Sequence, residues 1–358
     1  MTAPAATLAD RSKDWVAIGF LTLTPLVGVV GTAWYTWRVG FEPWMLVLLV
    51  VMYLLVGISI CAGYHRYFSH KTYDCAPAVQ VFYAVFGAMA AQSNILDWCS
   101  GHRRHHRHVD EDWDPYSIKR GFWWSHIFWI FEKYAPAHDN VPDLLRNPVV
   151  RWQQRWTNWL MIGGGFGIPT FIGWLCGDAW AGLLWGGFAR VVVCHHTTFF
   201  VNSAAHHFGS QSFDREVSAR DNWIVALLTL GEGYHSFHHR FPGDYRNGIR
   251  WYQWDPAKWF IALLRLVGLA EKLKVTPEDR IESARMTAAL AEMQSRLEGA
   301  PHGLAAEVGE RLQAARTALA RALELRRREL RARTEGARRR VRATRILARR
   351  ELREARRH

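Results

Sequence analysis

Apolar residues in this chain gather into long runs instead of following the one-sided stripe of a soluble helix or the alternation of a half-buried strand. Residues 16–37 form one such run and residues 43–62 a second, joined by a short link at 38–42. Each is about 20 residues long, enough for a helix to cross a hydrocarbon core of about 30 Å. Together they predict a membrane hairpin. A second hairpin is predicted from 158–176 and 180–201, turning at Gly177 and Asp178. The stretch 76–98 is apolar on one side but carries Gln80, Gln92, Asn94 and Asp97, which predicts an interfacial or re-entrant helix. Residues 121–134 are too few to cross and read as interfacial too. After residue 275 the pattern changes. Residues 281–357 are dense in Ala, Leu, Glu and Arg, broken at 299–303, and predict a long amphipathic helix or coiled coil. The expected fold is therefore an all-α integral membrane protein, with four transmembrane helices in two hairpins. The membrane domain is expected at 1–275 and the Arg-rich tail at 276–358.

Charge orients the spans. The stretch 65–155 is rich in Arg and Lys, whereas the two hairpin loops hold a single Arg and no Lys. The positive-inside rule then puts both termini, and everything between the hairpins, in the cytoplasm. Residues 1–14 show no secretory leader pattern. Many of the 19 Trp flank the apolar runs, as an interfacial aromatic belt does. The five Cys include no C-x-x-C pair and predict free thiols instead of a disulfide framework. From residue 301 onward there are 18 Arg and 7 Glu with no Lys or Asp, so most of the formal net charge of +13 lies in the tail. That tail is expected to rest on anionic membrane lipids or to dock an acidic carrier, or else to be a solvated charged helix. Nucleic acid is not expected as a partner.

Histidines carry the chemistry. His235, His238 and His239 stand at i, i+3 and i+4, as do His102, His105 and His106, and His65 and His70 form a pair five apart. On a helix the first spacing puts three imidazoles on one face, able to converge on a common point. Arg103, Arg104 and Arg107 would suit a phosphate or lipid patch if the second box stood alone; three boxes facing one compartment point to metal. His108, His126, His138 and His207 read as surface or interface residues. Asn202 and His206 lie one helical turn apart at the cytoplasmic end of the last span, which makes His206 a ninth ligand and Asn202 a water-mediated one. A structural zinc needs four ligands, so this many imidazoles predict two ions with open positions. No carboxylate stands among the boxes at ligand spacing. Asp97, Asp110, Glu111 and Glu232 are instead expected to accept imidazole N–H bonds from behind. A dinuclear iron site open to O2 fits best.

These boxes, together with Asn-Ser-Ala-Ala-His at 202–206 and the run 231–242 around the last box, resemble the membrane-bound fatty acyl desaturases of the stearoyl-CoA (delta-9) type. The resemblance runs from about Tyr53 to Ala270. It implies a mushroom-shaped helical protein with four membrane spans and a cytosolic helical cap, holding two Fe ions through His65, His70, His102, His105, His106, His206, His235, His238 and His239, with Asn202 acting through a water. It further implies insertion of a cis double bond into a saturated acyl chain at the cost of O2 and two electrons. Trp98 and Thr198 match the positions that kink the family's substrate tunnel, Gln92 a polar position beside them, and Tyr53 the closed end.

Departures fall at the head-group end, where this chain has Ser100-Gly101, Phe199 and Glu132-Lys133 in place of the family's carrier-contacting residues. Acyl-CoA is the expected substrate, with an acyl carrier protein or a lipid-bound chain as alternatives. There is no His-Pro-Gly-Gly and no cysteine cluster, so electrons must come from an external donor: a ferredoxin, a rubredoxin or a cytochrome b5-like protein. His195, inside the last predicted span, is expected to face the tunnel behind the metal ligands. A hydroxylase or ketolase would use the same metal set. A metal transporter would need polar residues running through the spans, and here they gather at one edge.

Overall fold

A computed structural model describes residues 12–133 and 138–298, with scattered positions between 309 and 328. It divides into two compact units, residues 1–276 and 277–358. The first unit is helical, with one small antiparallel pair, β1 (Asp74–Cys75) and β2 (Ala270–Glu271), that ties its last helix back to the region of the first histidine box.

In chain order the helices are α1 (Trp15–Val39), α2 (Pro43–Ser69), α3 (Pro77–Ala88), α4 (Ile95–His108) and α5 (Phe122–His126). Next come α6 (148–175), α7 (179–202), α8 (Ala204–His207) and α9 (Trp223–Leu228), then α10 (His235–Arg240) and α11 (Pro256–Leu266). The second unit holds α12 (Glu278–Glu298). Apart from those scattered positions, the remainder of the predicted tail helix lies outside the described residues, as do residues 1–11 and residue 134 of the predicted interfacial stretch.

Helices α1 and α2 are long and apolar enough to cross a membrane. Their exposed Leu23, Leu26, Val29 and Val30, and Val47, Val50 and Val51, are faces with no protein partner, which suits lipid. Helices α6 and α7 match the second predicted hairpin in position but fall short of that test. Their Gly164 and Gly165, and Gly182, Gly186 and Gly187, add nothing to hydropathy. They serve contact instead: a Cβ on Gly182 would lie 2.3 Å from the Pro169 carbonyl oxygen. Asp178 closes the turn, accepting from the Ala181 N–H at 2.9 Å and from the Tyr35 hydroxyl at 2.8 Å.

Two predicted boundaries change. Helix α2 runs on beyond the predicted span of 43–62 as far as Ser69, with His70 of the first histidine box at its C-cap. The stretch 76–98 is not one helix but two, α3 and the start of α4, separated by a break at 89–94. In that break Ala91 and Ser93 take left-handed φ values of 55° and 82°. The core of the unit gathers around the end of α2, with Tyr64, Phe68, Tyr83, Ile95 and Leu96 almost fully buried.

Candidate metal centre and adjoining cavity

Each box is delivered by a different local device. From Ser59 to Ser69 helix α2 widens to i→i+5 hydrogen bonding, and the His70 N–H reaches the His65 carbonyl at 3.1 Å. In an ordinary α-helix residues five apart point different ways. The wider turn puts His65 and His70 side by side, with ring centres 5.0 Å apart. The second box rides on α4, whose first turn is capped by the Asn94 side chain accepting from the Asp97 N–H. The third box is the short α10, and its free N-terminal N–H groups at Ser236 and Phe237 are taken by Asp221, at 2.9 and 3.3 Å.

The imidazoles of a box do not share one point. They sort into two groups across boxes: His65, His70, His102, His106 and His238 in one, and His105, His206, His235 and His239 in the other. The i and i+4 residues of a box stay together, and the i+3 residue crosses to the other group. Within each group the candidate ligand atoms all lie within 4.8 Å of one another. His65 Nε2 and His106 Nε2 are each 2.9 Å from His238 Nε2, and His70 Nε2 is 2.7 Å from His102 Nε2. In the second group His206 Nε2 and His239 Nε2 both lie 3.1 Å from His235 Nε2.

The outward nitrogens show why this arrangement wants cations. His65 Nδ1 is 2.7 Å from Glu232, His105 Nδ1 is 2.9 Å from Asp114, and His206 Nδ1 is 2.7 Å from the Ser218 hydroxyl. With Nδ1–H donating outward, each of these rings turns a bare Nε2 lone pair inward. Lone pairs that close repel unless a cation sits between them. Protons are a poor substitute, since burial holds His70, His102, His106, His206, His238 and His239 well below the usual histidine pKa and takes His235 down to about 3. The donor sets therefore fit two divalent metal ions, one per group.

Behind the first group sits a buried charge network. Glu232 takes His65, a guanidinium bond from Arg66 at 3.0 Å and the Asn247 amide at 2.7 Å, while Arg66 also holds Asp255 at 2.9 Å. Burial alone would raise the Glu232 pKa. The neighbouring His65 and Arg66 outweigh it and bring it to about 2, so Glu232 stays a carboxylate.

The other expected acids divide. Asp110 acts one step back, accepting from the Ser218 hydroxyl at 2.6 Å, which in turn holds His206. Glu111 is corrected: it is exposed and pairs with His108, outside both groups. Asp97 is corrected likewise, since its carboxylate takes His138 at 2.6 Å and the Asn94 amide at 2.7 Å. Asp114 was missed. It lies nine residues past His105, and only the return of the chain after α4 brings it under that ring. His126 is buried against Ser203 and His196, and His207 is exposed; neither joins a histidine group.

A cavity of about 520 Å³ adjoins both groups, lined by His65, His102, His105 and His235 as well as by Asn202. The four expected tunnel residues all line it. Three form a chain, in which Trp98 Nε1 donates to Gln92 Oε1 at 3.4 Å and Gln92 Nε2 donates to Thr198 Oγ1 at 2.9 Å. Trp98 also stacks on His102 with ring centres 5.1 Å apart. Tyr53 bonds the Leu228 carbonyl and lies 3.4 Å from the Thr197 hydroxyl. His195 lines the cavity too, but the expectation that it backs a cluster histidine is corrected. Its Nε2–H goes to the carbonyls of Ala90, at 2.9 Å, and Ala91, at 3.2 Å. All five cysteines carry free thiols.

Comparison with known proteins matches this geometry to a family. The fatty acid desaturase family model covers residues 42–264, and the chain belongs to that family. It is 42% identical over 278 residues to acyl-CoA desaturase 1 of Saccharomyces cerevisiae, an alignment covering 76% of this chain and 54% of the yeast protein. Against the sn-2 palmitoyl-lipid 9-desaturase of Nostoc sp. it is 36% identical, over 74% of this chain and 91% of that one. Human stearoyl-CoA desaturase 5 is 34% identical, over 68% and 76% respectively. The chain thus spans about half the length of its yeast relatives, and the resemblance read from the boxes is confirmed at the level of the family.

Proposed function

We propose that the chain is a membrane fatty acyl desaturase, which converts a saturated acyl chain to the cis-monounsaturated product with O2 and two electrons. The observation carrying this reading is the pair of inward-facing histidine groups opening onto one largely apolar cavity. His65, His70, His102, His106 and His238 would hold one iron and His105, His206, His235 and His239 the other, with Asn202 completing the second through a water. When bound, the irons supply the oxidising power that no side chain offers for taking hydrogen from an unactivated methylene. The protein's share is binding and alignment. The cavity walls exclude water and hold one C–C bond beside the histidines, and Tyr53 closes the far end. Glu232, Asp114 and Ser218 fix the ring orientations from behind.

The substrate is read as an acyl-CoA acted on at the 9 position. The yeast and human relatives are named as acyl-CoA and stearoyl-CoA desaturases, and the Nostoc relative as a 9-desaturase. In this reading α6 and α7 form the second membrane hairpin, and the active site and both termini face the cytoplasm. Electrons arrive from an external ferredoxin, rubredoxin or cytochrome b5-like donor, and the Arg-rich tail rests on anionic lipid. Expression in cells supplied with a reductase, followed by mass spectrometry of acyl chains, tests the reaction. New monoenes two mass units lighter are expected, and hydroxylated chains about 16 units heavier would overturn the desaturase reading.

A further inference from the structure

Two polar residues of α7, Arg190 and His195, have no part in the histidine groups, yet both are almost fully buried. Every hydrogen bond they make to another helix ends on a backbone carbonyl. Arg190 donates to the carbonyls of Met89 at 2.5 Å, Gly165 at 2.7 Å and, within its own helix, Gly186 at 3.1 Å. His195 donates to Ala90 and Ala91. Three consecutive carbonyls, 89 to 91, are thus held by two side chains of α7, at the point where α3 has ended and α4 has not begun. Without these donors the carbonyls of the fully buried Met89 and Ala90 would be left unpaired.

The break they hold is strained. Gln92 sits between Ala91 and Ser93, two non-glycine residues with left-handed φ, a conformation that persists only where surrounding contacts impose it. Gln92 is also the middle of the chain from Thr198 to Trp98, and Trp98 stacks on His102. The brace is therefore linked through Gln92 and Trp98 to the first histidine group. A shift of the break would move the cavity wall relative to the histidines.

On the desaturase reading above, we infer that Arg190 and His195 are positioning residues that fix which C–C bond is oxidised, by bracing the break that presents Gln92 to the cavity. A carbon chain has no marks of its own, so the bond chosen depends on wall position to within about the length of one C–C step. A purely structural role for the two residues would change how much protein folds and would leave the isomer ratio alone.

The test is the double-bond isomer ratio from one saturated acyl-CoA, measured by mass spectrometry beside iron content per chain. The proteins compared are wild type, His195→Phe, His195→Gln and Ala91→Gly. His195→Phe removes the donor and keeps a ring, and His195→Gln restores an N–H. Ala91→Gly loosens the braced backbone at its left-handed residue and keeps the Arg190 and His195 donors. The inference expects the minor-to-major isomer ratio to rise about tenfold in His195→Phe and in Ala91→Gly, and to return toward wild type in His195→Gln. One unchanged isomer from both His195→Phe and Ala91→Gly, at wild-type iron content, overturns it. If His195→Phe yields no product, Ala91→Gly decides alone by the same criterion. Wild type that loads iron and makes no monoene overturns the desaturase reading itself.

Discussion

Glu232 and Asp114 do the same work on opposite groups, each accepting an Nδ1–H so that an Nε2 lone pair faces inward. Replacing Glu232 by Gln leaves a neutral acceptor beside buried Arg66, so both ring orientation and charge balance suffer. Metal titration of Glu232→Gln and Asp114→Asn is expected to show affinity lowered by about 10- to 100-fold; Glu111→Gln should match wild type. Acid should act in one direction. Burial keeps His235 and its neighbours neutral in the fold, with His235 at about 3, whereas in the unfolded chain they take up protons below about 6.5. The unfolded state then binds more protons, so stability present above that pH is lost as pH falls through it. A melting midpoint that drops between pH 7 and 5 is expected, and one that rises would contradict it. At this scale the sequence revealed every histidine of both groups, because eight stand in local boxes and His206 stands one helical turn from Asn202. The groups behind the rings do not follow sequence spacing, since Glu232 backs His65 from a distant part of the chain. Glu111 stands close to the second box and points away, while Ser218 stands far off and touches His206.

Among the elements, hydropathy located the two long apolar helices α1 and α2 and the turn between them, since a run of apolar residues needs no tertiary context to be read. It gave no sign of the wide turn that aligns His65 with His70, nor of the break between α3 and α4. Both depend on partners from other helices. Close packing of α3 on α2 is one such partner. A Cβ on Gly87 would lie 2.2 Å from a Tyr64 ring carbon, and the Tyr64 hydroxyl accepts from Gln153 of α6 at 2.8 Å. Gly87→Val should push Tyr64 against the helix that carries His65. We expect a loss of at least about 1–3 kcal/mol, read as a lower thermal midpoint in detergent, and an unchanged midpoint would refute the packing argument.

For the molecule as a whole, the division of labour is simple. The end of the long helix α2 and three shorter helices, α4, α8 and α10, carry histidines from four parts of the chain, and one cavity meets both groups. His238 stands at the centre of the first group, 2.9 Å from both His65 and His106, so its removal should cost that group its metal. The most direct measurement is therefore iron content and acyl-chain profile of cells expressing wild type and His238→Ala with a competent reductase. About two irons per wild-type chain, with new monounsaturated chains that vanish in His238→Ala, are expected. Iron-loaded wild type with an unchanged acyl profile, or monoenes that persist at full level in His238→Ala, would contradict a histidine-held metal centre acting on acyl chains.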